Sequence, residues 1–87
     1  MYSYELRKSV EKIFFKLARK NPKQLEIIEK KIKEVVQNPQ HYKNLKRPMQ
    51  HLKRVHIDKS FILLFSVDEA RKTVIIEDYD HHDKIYE

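Results

Sequence analysis

Leu52-Lys53-Arg54-Val55-His56-Ile57-Asp58-Lys59-Ser60-Phe61-Ile62-Leu63-Leu64-Phe65-Ser66-Val67 is where the hydrophobic period of this chain changes from 3.6 residues to 2. Successive side chains on a strand point to opposite faces, so Val55 and Ile57 are expected to face a core while Arg54, His56 and Asp58 face away from it. A cation, an imidazole and a carboxylate on one strand face are costly to bury and unnecessary for folding, which makes that face the place to look for chemistry. Phe61 to Val67 is apolar on both faces, which marks a central strand, with Lys59-Ser60 as the turn leading into it. Thr73 to Tyr79 reads as a third strand, reached through the polar connection Asp68-Glu69-Ala70-Arg71-Lys72. Short links between neighbours favour antiparallel pairing.

Upstream the pattern is helical. Val10, Ile13, Phe14 and Leu17 form one apolar stripe on a helix expected from about Ser9, a possible cap, to Lys20, with Lys8, Lys12, Lys16, Arg19 and Lys20 on the other face. Asn21-Pro22 both ends this helix and starts the next, where Leu25, Ile28, Ile32, Val35 and Val36 repeat the stripe until Asn38-Pro39. Residues 40–50 lack a period and read as an irregular basic loop, and Tyr2 to Leu6 as a short opening strand. The expected architecture is α+β and a single domain over residues 1–87. A short N-terminal strand and a helical hairpin pack on one face of a small antiparallel sheet, and the other face is left open.

Composition narrows the function classes. The 87 residues include no cysteine, so neither a disulfide framework nor a thiolate metal site nor a thiol nucleophile is available. A chain of this length buries little more than ~60% of its unfolded surface and holds itself together by packing alone. No apolar run approaches the ~20 residues that span a bilayer and the amino terminus lacks a signal-peptide pattern, so no membrane and a cytoplasmic location are expected. Over residues 1–65, 16 Lys and Arg stand against 6 Asp and Glu; over 66–87, 3 stand against 7. A basic body of this kind favours a polyanionic partner, through Coulomb attraction and counterion release, although a Lys-rich helix face is often simply solvated.

Two motifs then carry a resemblance. Val55-His56-Ile57-Asp58 leads to Leu63-Leu64-Phe65-Ser66-Val67, and the chain closes with His82 and, four residues later, Tyr86. Together with the order strand, helix hairpin, three-stranded meander, this resembles the RelE/ParE superfamily of small toxins over nearly the whole length, most closely the YafQ-type branch. The resemblance implies a RelE-like fold and a ribosome-dependent mRNA endoribonuclease, held inactive by a cognate acidic antitoxin of the RelB/DinJ kind. The toxin would be a monomer alone and part of a hetero-oligomer with its antitoxin. It also places His56 and His82 as the active-site histidines and Tyr86 as the terminal aromatic. Arg47 stands before Pro48 where that branch has a further histidine, with His51 nearby, and Ile62 stands where the RelE-type branch proper has an arginine.

The chemistry of these residues fits RNA cleavage without a metal or other cofactor. A base must take the 2′-OH proton, a cation must offset charge on phosphorus, and an acid must protonate the departing 5′-oxygen. His56 and His82 can be base and acid in either order, because histidine titrates between pH 5 and 8. Arg54 suits bidentate phosphate contact, Lys46, Arg47, His51 and Lys53 are expected to contact the RNA, and Tyr86 can stack on a base or bond the phosphate. Asp80-His81-His82-Asp83 is not read as a metal cluster, since adjacent histidines seldom point at one ion and no third ligand set of zinc-like spacing accompanies them; His81 reads as solvated. Two other readings stand beside this one: a ParE-like inhibitor that binds a topoisomerase and cleaves nothing, and a non-catalytic RNA-binding domain. Neither needs paired histidines.

Overall fold

The computed structural model describes residues 1–85. Its elements are β1 (Ser3–Leu6), α1 (Lys8–Lys20), α2 (Pro22–Gln37), a 3-10 turn at Pro39–His41, β2 (Lys53–Ile57), β3 (Phe61–Asp68) and β4 (Thr73–His81). The α1 stripe behaves as its spacing demands: Val10 and Phe14 are buried, with Ile13 and Leu17 packed against them. Ser9 does not cap this helix, because the helix already begins at Lys8, with Arg7 as the capping residue and no side-chain cap. Glu11 in the first turn and Arg19 and Lys20 in the last complement the helix dipole instead. Asn21 serves both helices. Its N–H donates to Leu17 O at 2.8 Å and its Oδ1 accepts the Gln24 N–H at 3.2 Å, with Pro22 opening α2.

The sheet runs in the order β1-β4-β3-β2. β3 pairs antiparallel with both neighbours, as the short links require, and so is central. β1 differs from the expectation of an antiparallel sheet, because it pairs with β4 in parallel. A parallel partner needs a long crossover, and both helices and the segment up to β4 supply it. Ties at this edge include Ser3 N–H to Lys72 O at 3.0 Å, Arg7 N–H to Ile76 O at 3.1 Å, Arg71 to Glu5 at 2.8 Å and Arg7 to Glu77 at 2.9 Å.

The apolar content divides into two layers. Between helices and sheet lie Val10, Phe14, Ile28, Ile32, Val35, Val55, Ile57, Leu63, Phe65, Val74 and Ile76. The opposite sheet face is not left open as expected. Ile62 and Leu64 project there from the central strand, and Leu52, Ile85, Leu45 and Met49 cover them. Two isoleucine- and leucine-sized side chains on a central strand have too much apolar area to leave in water, at roughly 25 cal/mol per Å². The segment before β2 has no regular secondary structure, as expected, but it is folded over them. Leu45 N–H donates to Leu52 O at 2.9 Å, Leu52 N–H to Met49 O at 3.0 Å, and the Asn44 amide to Gln50 O at 2.7 Å.

Candidate active site

β2 alternates as its sequence predicts: Lys53, Val55 and Ile57 are buried, Arg54 and His56 exposed. The two exposed side chains line an open cleft of about 540 Å³ with Lys43, Asn44, Leu45, Lys46 and Met49. The segment that covers the second apolar layer thus also forms one wall of the cleft. Three cations and an imidazole face a single depression whose floor is partly apolar. Such a surface attracts a phosphodiester and leaves an imidazole within its reach.

The strand register extends this face across the sheet. His56 lies opposite Ile62, and Ile62 opposite Asp80; Arg54 lies opposite Leu64, and Leu64 opposite Asp78. His56 and Asp80 are therefore two strand spacings apart, about 10 Å. His82 follows two residues after Asp80, exposed, and its N–H donates to Ser60 O at 2.9 Å, which ties it to the turn joining β2 and β3. Between His56 and Asp80 stands Ile62, packed in one apolar cluster with Ile85. Ile85 reaches it because the chain turns back after β4, with the Lys84 and Ile85 N–H groups both donating to His81 O at 2.9 and 3.1 Å.

The remaining expected residues separate by position. Lys46 lines the cleft. Lys53 does not belong with it: it lies on the helix-side face, 7% exposed, and its ammonium donates to Tyr42 O at 2.8 Å and to Asn44 Oδ1 at 2.9 Å. A buried ammonium with both bonds made inside the protein is a structural tie, so Lys53 is withdrawn as an RNA contact. Arg47 is exposed in the loop, and neither it nor His51 lines the cleft. His51 sits near Glu77 instead. Burial pushes the Glu77 carboxyl up, but hydrogen bonds from Arg7 and Ser66 and the charges of Arg7 and His51 outweigh it and hold the group below its ordinary range. Asp58 leaves the strand alternation altogether, with φ of 58° in the turn. Tyr86 lies outside the described residues.

Two groups escaped the sequence reading. Lys43 and Asn44 line the cleft, and only the general basicity of residues 40–50 pointed toward them. Asp78 and Asp80 share the face of Arg54 and His56, which their alternation with Tyr79 could have revealed. At the end of β4, the ligand atoms of His81, His82 and Asp83 lie within 4.8 Å of one another, the one such trio among the described residues.

The family model for the ParE toxin of type II toxin-antitoxin systems matches residues 1–86. The chain belongs to this family, within the RelE/ParE superfamily. A protein of Methanocaldococcus jannaschii that carries the name toxin RelE4 is 56% identical over 86 residues, 99% of this RelE/ParE chain and 92% of that protein. The toxin-antitoxin complex RelBE of Escherichia coli contains a chain similar in fold at a TM-score of 0.76 and 20% identity, covering 93% of this chain and 96% of the other. YafQ of Escherichia coli is similar over the full length of both chains at a TM-score of 0.73 and 17% identity. These two likenesses establish the RelE-like α+β fold. Among the described residues of this RelE/ParE toxin, no helix is long and apolar enough to cross a membrane.

Proposed function

We propose that this toxin is an mRNA endoribonuclease that works on message held in the ribosome, with His56 and His82 as the proton-transferring pair. The observation that carries the reading is the placement of Arg54 and His56 side by side on an exposed strand face, in a cleft also lined by Lys43 and Lys46. In the reaction the RNA 2′-oxygen attacks phosphorus as its proton passes to one imidazole. The bond from phosphorus to the 5′-oxygen breaks, and that oxygen takes a proton from the other imidazole. The products are a 2′,3′-cyclic phosphate and a 5′-hydroxyl. Arg54 offsets the charge on the phosphoryl oxygens and Lys46 holds the backbone beside it. An open cleft aligns RNA poorly by itself, so the ribosome supplies the orientation, and cleavage of naked RNA is slow.

The partner that restrains this activity is an acidic antitoxin, a reading supported by the RelBE complex among the similar structures and by the basic outer face of α1. Its place of action is the cytoplasm. A second reading is favoured by the family description itself, which names ParE: a toxin that binds a protein target and cleaves nothing. Primer-extension mapping of mRNA in a translating extract separates the two. Discrete cuts within translated codons that vanish in His56→Ala and His82→Ala establish the nuclease, whereas growth arrest without any cut establishes the ParE-like reading.

A further inference from the structure

The turn that ends β4 gathers three ligand-type side chains at one point. His81 Nδ1 lies 3.5 Å from one Asp83 oxygen and His82 Nδ1 lies 3.1 Å from the other. Consecutive residues on a strand would direct their side chains to opposite faces, but β4 ends at His81 and His82 already lies in the turn. The two imidazoles meet edge to face with centroids 4.8 Å apart. The sequence argument against a metal, that adjacent histidines seldom point at one ion, loses its basis in this geometry. His81 Nδ1 also accepts the Asp83 N–H at 3.2 Å. Ligation through this nitrogen exchanges that hydrogen bond for a metal bond.

We propose that the turn at residues 81–83 binds a divalent transition-metal ion of the zinc, nickel or copper class, and that the bound ion withdraws His82 from RNA. Two imidazole nitrogens and one carboxylate oxygen make a borderline-soft donor set suited to these ions and poorly suited to magnesium or calcium. The fourth position is open to water. Metal bonds of about 2.0–2.1 Å put tetrahedral ligands roughly 3.3 Å apart. The group reaches that spacing from 4.8 Å by side-chain rotation, since His82 and Asp83 are exposed. The effect on RNA rests on the reading of His82 as a proton-transferring group; the binding of the ion does not.

The test uses the purified full chain, titrated with ZnCl2 and separately with MgCl2 by calorimetry while the imidazole nitrogen NMR signals are followed. One zinc per chain is expected, with signal changes at His81 and His82 among the five histidines, and no response to magnesium. His81→Gln removes a ligand and is expected to weaken zinc binding more than about tenfold. Asp83→Asn is expected to do the same while keeping the amide that donates to His81. Absence of binding, signal changes at His56 or His51 instead, or binding indifferent to both variants would overturn the proposal. In the translating extract, zinc is expected to suppress cleavage by the wild type and to spare His81→Gln. Zinc that binds at the turn but leaves cleavage unchanged overturns the second half of the proposal. Zinc binding by a wild type that never cleaves upholds the site and defeats the nuclease reading.

Discussion

The ammonium of Lys53 donates to Asn44 Oδ1 across 2.9 Å, so a buried lysine on the helix-side face fixes a residue that lines the cleft on the other. Its second bond, to Tyr42 O at 2.8 Å, fastens the same segment two residues earlier. The wall of the candidate site is thus held from behind, through one backbone and one side-chain acceptor.

Lys53→Ala is therefore expected to act on stability first. It leaves a carbonyl and an amide oxygen without their donor, at a cost of about 1–3 kcal/mol, which lowers Tm by several degrees in a domain of this size. Lys46→Ala, on the exposed cleft wall, is expected to leave Tm unchanged and to weaken RNA cleavage. Thermal melts of the two variants decide it, and equal Tm values would return Lys53 to the RNA-contact group.

His56→Ala and His82→Ala are each expected to lower cleavage in a translating extract by about 10²–10⁴-fold, the usual worth of a positioned proton-transferring group. Neither exposed imidazole contributes to the core, so Tm and far-UV circular dichroism should match the wild type. A variant that cleaves at the wild-type rate removes that histidine from the mechanism.

Gln24 and Tyr79 provide the polar tie between helix and sheet, the Gln24 amide donating to the phenol oxygen at 2.9 Å in a buried setting. Tyr79→Phe deletes the acceptor and strands a buried amide donor, so a loss of about 1–3 kcal/mol is expected by urea denaturation. The double variant Gln24→Leu with Tyr79→Phe removes both partners and should recover part of that loss. Additive losses would show that the bond itself contributes little.

Glu77 sets an acid dependence. Its folded carboxyl is held below the ordinary value of 4.5, because the Arg7 and Ser66 hydrogen bonds and the nearby charges outweigh its burial. A depressed carboxyl contributes stability that is fully present above 4.5 and is lost as pH falls through the folded value. Tm of the wild type should therefore fall below pH 4.5, and Glu77→Gln should flatten part of that fall. A profile unchanged by the substitution would mean that other carboxylates, such as Asp68 and Glu69, carry the acid sensitivity.

Local chemistry made most of the fold legible. The stripes at Val10, Phe14, Ile28 and Ile32, the paired stops at Asn21-Pro22 and Asn38-Pro39, and the alternation at residues 53–57 each depend only on spacing along the chain. For the same reason the exposed pair Arg54 and His56 could be named in advance. Ser9 failed as a cap because helix ends are set by where the preceding strand releases the chain, and β1 runs to Leu6.

The sequence by itself determined the helix hairpin, the central position of β3 and the face on which Arg54 and His56 stand, since these follow from period and from short links. Only the tertiary structure decided the rest. It placed β1 in parallel beside β4, folded residues 45–52 over Ile62 and Leu64, buried Lys53 and brought His81, His82 and Asp83 together. Each of these depends on contacts between segments far apart in the chain or on a turn that breaks strand alternation, and neither leaves a period in the sequence to read.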